Sequence, residues 1–141
     1  KSNQFETDVL GLIFNGTAIA GLADNTSSGP LANLVIALHT ADPGEAGNQS
    51  TNEVAYTGYQ RVSVARTAGG WTVAAGSVAP TATIEFPECT AGTGTATYAT
   101  IGTAAGSGTG KVLYRGVLSP TIPFQAGTVP RIRNTSSITE D

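Results

Sequence analysis

Apolar residues recur at a helical spacing near the start of the chain. Phe5, Val9, Leu12 and Ile13 stand at i, i+4, i+7 and i+8, the pattern of one covered helical stripe. Ser2 or Asn3 supplies a cap, and Glu6 and Asp8 lie in the first turns, where the helix dipole favours anions. Gly11 weakens the helix and Asn15-Gly16 stops it. Thr17 to Leu22 has the composition for a further helical turn. Asp24 to Pro30 (DNTSSGP) then gathers so many turn formers that no regular element is expected.

After Pro30 the period changes. Leu34 to His39 (LVIALH) is a short continuous apolar run, the pattern of a strand covered on both faces, and Asp42-Pro43-Gly44 ends it with a strong turn signal. A polar loop spans Glu45 to Glu53. Tyr59 to Arg66 has β character, Gly69-Gly70 is a turn, and Trp71 to Ala75 follows as a strand. In Thr81 to Phe86, Ala82, Ile84 and Phe86 alternate with Thr83 and Glu85, and Pro80 and Pro87 bracket the segment. Thr95 to Ile101, Lys111 to Leu118 and an extended stretch from Arg131 to Thr139 complete the series. The total is about seven or eight strands with turn signals about every 8–12 residues, and no long helices alternate with them. The expected class is all-β: a single β-sandwich domain over residues 1–141, with 1–30 as a short N-terminal helix and loop and 126–141 as a C-terminal arm or last strand.

A chain of 141 residues is long enough to bury a real core without staples. Charged residues make up only 12%, about half the usual share. Seven Lys and Arg against ten Asp and Glu give a net charge of −3. That balance argues against nucleic acid as a partner, because phosphate contacts need a basic stripe. One Cys and one His make neither an internal disulfide nor a zinc site, and no cofactor is expected. No apolar run approaches the roughly 20 residues of a membrane span, so a membrane partner is not expected either. Glu6 and Asp8 stand where a secretory leader would be positive. Four Asn-x-Ser/Thr sequons, at Asn15, Asn25, Asn48 and Asn134, fit chance occurrence in a chain this rich in Thr and Ser.

Candidate catalytic groups are few. His39 is the only histidine, and no Gly-x-Ser-x-Gly elbow accompanies it, so its expected role is a hydrogen bond that closes the turn at Asp42 and Pro43. Glu85 and Glu88 form the one close carboxylate pair in a β segment, yet Glu85 alternates outward and Glu88 follows Pro87. Both read as solvated acids. Asp42, Glu45 and Glu53 fit no calcium-loop spacing. The glycines from Gly102 to Gly110 precede a strand and lack the phosphate-loop order. Cys89 has no basic neighbour and reads as a buried structural thiol; Trp71 reads as a core or interface anchor. No catalytic residue is assigned. The candidate partner-binding residues are Phe5, Val9 and Ile13 on the helix, which either cover the sandwich or meet a partner, and Arg131 and Arg133, which two-residue spacing places on one side of a strand to meet carboxylates.

The segment Leu38 to Gly47 (LHTADPGEAG), with Asn52-Glu53-Val54, Tyr56, Gly58-Tyr59, Arg61-Val62, Trp71-Thr72-Val73, Phe86-Pro87, Thr95 to Gly102 and Lys111 to Leu118, resembles small structural proteins of tailed phages and prophages. Within these it is most similar to the capsid cement, or head decoration, family of Bordetella-type phages. The resemblance covers about residues 5 to 125. It implies a jelly roll on the outer capsid surface of the virion, bridging major capsid protein subunits and pairing as a dimer. A tail-fibre or receptor-binding β module contacting a host glycan or surface protein is the alternative. The low charge suits the capsid clamp, since burying Thr and Ala costs little desolvation compared with Lys or Glu, and the modest aromatic content tells mildly against the alternative.

Overall fold

The computed structural model describes residues 3–19 and 31–139, with side chains from Glu6 onward. The turn-rich stretch expected over Asp24 to Pro30 lies outside the described residues. The elements are α1 (Asn3–Asn15), β1 (Asn33–His39), β2 (Val62–Ala65), β3 (Trp71–Ala74), β4 (Ser77–Pro80), β5 (Ile84–Glu85), β6 (Thr93–Gly102), β7 (Val112–Gln125), β8 (Arg131–Ile132) and β9 (Ile138–Thr139). Antiparallel sheets with one short N-terminal helix make this the all-β, sandwich-like class that the strand spacing predicts. The chain forms two compact units, one from Lys1–Asn33, Ala65–Ile84 and Ile132–Asp141, the other from Leu34–Val64 and Glu85–Arg131.

In the first unit, α1 packs on β3 and β4, which pair antiparallel with Trp71 opposite Pro80 and Ala74 opposite Ser77. The buried face of α1 is not the expected stripe. Leu10 and Phe14 are fully buried and Gly11 is buried with them, whereas Val9, Leu12 and Ile13 are half-buried; the Phe5 side chain lies outside the described residues. The small residues Thr7 and Gly11 lie beside Leu10 and Phe14 and carry little apolar signal, so the pattern points to a neighbouring stripe. The Gly76 N–H donates to Thr7 Oγ1 at 2.9 Å, and the Phe14 ring meets Trp71 edge to face, centroids 4.7 Å apart.

Residues 17–19 are not helical, contrary to the expected extra turn. The chain reverses at Gly16, and the Thr17 N–H donates back to Gly11 O at 3.0 Å. The Arg66 guanidinium then caps the helix end, donating to the carbonyls of Leu12 and Ile13.

Strand β4 has no counterpart in the sequence reading. Ala75 (φ +50°) and Gly76 (φ +70°) form a two-residue hairpin turn with both central residues left-handed. Ala75-Gly76 lacks the Asn-Gly signature of that turn, so the pattern hides it. Because Ser77–Pro80 is a strand, the expected strand over Thr81 to Phe86 shrinks to Ile84–Glu85. Thr81 instead donates through its N–H to Gly70 O and through its hydroxyl to Gly69 O. The C-terminal stretch is likewise two short strands: a turn closed by Ser136 N–H to Arg133 O separates β8 from β9, and β9 pairs with β4.

The second unit is built on a four-stranded sheet, order β2-β1-β6-β7. Leu34 to His39 are all buried, as the unbroken apolar run predicts. Strand β7 continues past Pro120 and Pro123 to Gln125, well beyond the expected end at Leu118. It is an edge strand, where proline is tolerated because the outward-facing side of the backbone has no ladder to break. Its register with β6 jumps between the Tyr98–Val117 and Ala96–Ile122 pairs, so residues 118–121 bulge out of the ladder. The core beside this sheet is aromatic: Tyr56 contacts Tyr59 and Phe124, and Tyr59 stacks on Phe86. Cys89 is fully buried.

Candidate interaction surface

The groups with chemical potential are committed to holding loops in place. His39 is fully buried. Its Nδ1 lies 2.8 Å from Thr51 O and its Nε2 lies 2.8 Å from Thr100 Oγ1. A carbonyl only accepts, so Nδ1 carries the proton and Nε2 accepts from the Thr100 hydroxyl. Burial pushes the imidazole below its ordinary pKa and keeps it neutral. The expected bond to the turn at Asp42 and Pro43 is not made. That turn closes itself, with Gly44 N–H donating to Asp42 Oδ1 at 2.8 Å.

Beside His39 lies a buried cation to which the sequence pattern assigns no structural role. Arg61 donates through Nε to Glu53 Oε1 at 2.6 Å and through Nη2 to Glu53 Oε2 at 2.8 Å. Its Nη1 donates to the carbonyls of Ala104 (3.0 Å) and Gly108 (2.7 Å), and its Nη2 also reaches Ser50 Oγ. Glu53 holds the guanidinium firmly charged. One side chain thus ties the polar loop after β1 to the glycine-rich loop between β6 and β7. Gln49, fully buried, adds four bonds: its N–H reaches the carbonyls of Thr109 and Gly110, its amide donates to Val35 O, and its Oε1 accepts from Ala104 N. The glycines make room for it. A Cβ on Gly102 or Gly110 would collide with the Gln49 amide, so these residues serve packing rather than a phosphate.

Asp42, Glu45 and Glu85 also have partners within the chain. Asp42 binds Arg115 Nη1 through both oxygens, at 2.7 and 2.6 Å, and Glu45 stands 3.9 Å from Arg115 Nη2. The Gly44 N–H, joined by the Arg115 guanidinium, holds the Asp42 carboxyl below its usual range. Glu85 accepts from Arg131 Nε at 2.7 Å, both side chains being more than half exposed. Glu88 is exposed. Of the candidate contact residues, Arg131 and Arg133 are exposed, but β8 ends at Ile132, so the strand alternation that paired them stops short of Arg133. Val9 and Ile13 remain half open on α1.

A different position is the most open apolar one. Val117 on β7 is 67% exposed and Leu31 is 44% exposed, the two large apolar side chains that stand clear among the described residues. Val117 escaped the sequence reading because alternation within KVLYRGVL does not say which face of an outer strand is covered. Every described aromatic ring, by contrast, is buried or half-buried.

Residues 1–139 match a family model described as podophage GP4 fiber I protein gp80. No curated protein matches the chain.

Proposed function

The chain belongs to the podophage GP4 fiber I protein gp80 family, a family of phage structural proteins and not an enzyme class, and from that premise we propose that it is a fibre subunit of the virion, working through assembly contacts rather than chemistry. The match over nearly the whole chain carries the reading. The side-chain inventory supports it: the single His and the buried Arg61 brace loops, and the described aromatic rings are spent on packing rather than offered as stacking faces for a sugar. A sparsely charged exterior loses little on desolvation, and weak contacts repeated over a symmetric particle act through avidity.

The resemblance of Leu38 to Gly47 to phage cement proteins favours a second reading, a clamp on the outer capsid that bridges major capsid subunits. One experiment separates the two. Purified particles are split into heads and tails, and this chain is quantified in each fraction. Recovery with the tails supports the fibre subunit. Recovery with heads, in numbers approaching those of the major capsid protein, replaces it with the clamp.

A further inference from the structure

We propose that His39 is a proton-operated latch on the glycine-rich loop between β6 and β7: when its ring takes up a second proton, residues 48–53 and 104–110 come loose together while the sheet beside them stays folded. This device is independent of the assembly role proposed above. It stands on a cluster of side chains gathered within the second unit.

His39 fits its site only as a neutral ring. Its Nδ1–H donates to Thr51 O, and its Nε2 accepts from the Thr100 hydroxyl. His39 is 0% and Thr100 1% exposed, so no solvent stands ready to replace a lost bond. A proton on Nε2 turns that acceptor into a donor aimed at Thr100 Oγ1. The hydroxyl can then only accept, and its own proton is left without a partner in a dry site.

Charge acts in the same direction. The imidazolium is a second cation in a cluster that holds one carboxylate, and Arg61 already engages both oxygens of Glu53. The new cation therefore competes with that fork instead of completing a pair. The neighbouring elements offer no second acid. Tyr59 and Tyr98, the latter opposite His39 across the β1–β6 ladder, supply phenols, and burial pushes the Tyr59 phenol up. Arg115, opposite Thr100 on β7, is turned onto Asp42.

The disturbance reaches the glycine-rich loop through bonds that pass over the cluster. Thr51 and Glu53, the partners of His39 and Arg61, lie in the same loop as Gln49 and Ser50. Gln49 ties that loop to Ala104, Thr109 and Gly110, Ser50 ties it to Gly108, and Arg61 ties both to Ala104 and Gly108. Residues 104–110 belong to no strand, and Ala105 to Thr109 are exposed and carry nothing larger than Thr, so their release uncovers little apolar surface. In the opened state the ring is wet and titrates at its ordinary 6.5, whereas in the closed state burial holds it lower. Acid therefore favours opening, by up to about tenfold for each pH unit below 6.5 until the closed-state pKa is reached.

Native-state hydrogen exchange of the full chain, read by NMR and corrected for the intrinsic exchange rate, tests the latch. The Gln49 and Ala104 N–H groups, whose bonds cross between the two loops, are the probes. Their protection is expected to fall about tenfold from about pH 7.5 to 5.5, through an opening that low urea does not accelerate; the β1–β6 ladder exchanges more slowly and responds to urea. His39→Gln, which cannot take up the proton, is expected to abolish the fall. Loop protection that is constant over this range, or that falls equally in His39→Gln, overturns the proposal. So do loop amides that exchange only in step with the ladder, because the loops then open only with the whole chain. If His39→Gln does not fold, the wild type decides alone: a loss of protection that begins only below about pH 5, where carboxylates titrate, overturns it.

Discussion

Arg61 and Glu53 meet through two parallel hydrogen bonds, at 2.6 and 2.8 Å, with the Arg61 side chain 1% exposed and that of Glu53 16% exposed. Removing one partner of such a pair leaves a buried charge without compensation, and here it also releases the carbonyls of Ala104 and Gly108. Arg61→Ala is expected to lower stability by about 3–5 kcal/mol in urea unfolding, and Arg61→Lys by roughly half as much because it keeps the charge but loses the fork. Hydrogen exchange within residues 104–110 should rise in both variants. Unchanged exchange there would mean that Gln49 and Ser50 hold the loop without Arg61.

His39 makes stability depend on pH, and the sign follows from its burial. Its folded pKa lies below the ordinary 6.5, so between those two values the unfolded chain binds more protons than the folded one. The contribution is therefore complete above pH 6.5 and is lost as pH falls from there toward the folded pKa. Denaturation midpoints measured from neutral pH down to about 5, above the range where carboxylates titrate, should decline in the wild type and flatten in His39→Gln. Nitrogen-15 imidazole shifts should report the Nδ1–H tautomer.

Ala75 holds a left-handed backbone that disfavours a Cβ. Ala75→Asn should stabilise the chain by about 0.5–1 kcal/mol, raising Tm by a few degrees, because Asn tolerates this turn position. A lower Tm would show that the Ala75 methyl is needed for packing.

Arg66 closes the end of α1 by donating to the carbonyls of Leu12 and Ile13. Arg66→Ala should cost about 1–2 kcal/mol, with a loss of helical signal in far-ultraviolet circular dichroism. Arg66→Lys should recover part of it.

The sequence made some elements plain and concealed others, for physical reasons. Leu34 to His39 was legible because a strand covered on both faces needs no alternation, and Asp42-Pro43-Gly44 because its turn is closed locally by its own side chain. The pattern misplaces the buried helix face because Thr7 and Gly11, beside Leu10 and Phe14, carry little hydrophobic signal. The pattern ends strand β7 at Leu118, before Pro120, because only the sheet order reveals that an outer strand tolerates proline. The loop braces were invisible for a further reason: Arg61 and Gln49 look like surface residues, and their partners at Ala104 and Gly108 lie 43 and 47 positions away from Arg61. Distant pairing of polar groups leaves no periodic trace.

The division into two compact units has a practical corollary in their chromophores. The only tryptophan, Trp71, belongs to the unit that contains α1, whereas all four tyrosines, Tyr56, Tyr59, Tyr98 and Tyr114, belong to the other. Indole emission excited at its red edge thus reports the melting of one half, and the near-ultraviolet tyrosine bands report the other, with no label attached. Whether the chain unravels in a single cooperative step or in two can be read from one sample by asking if the two optical transitions coincide.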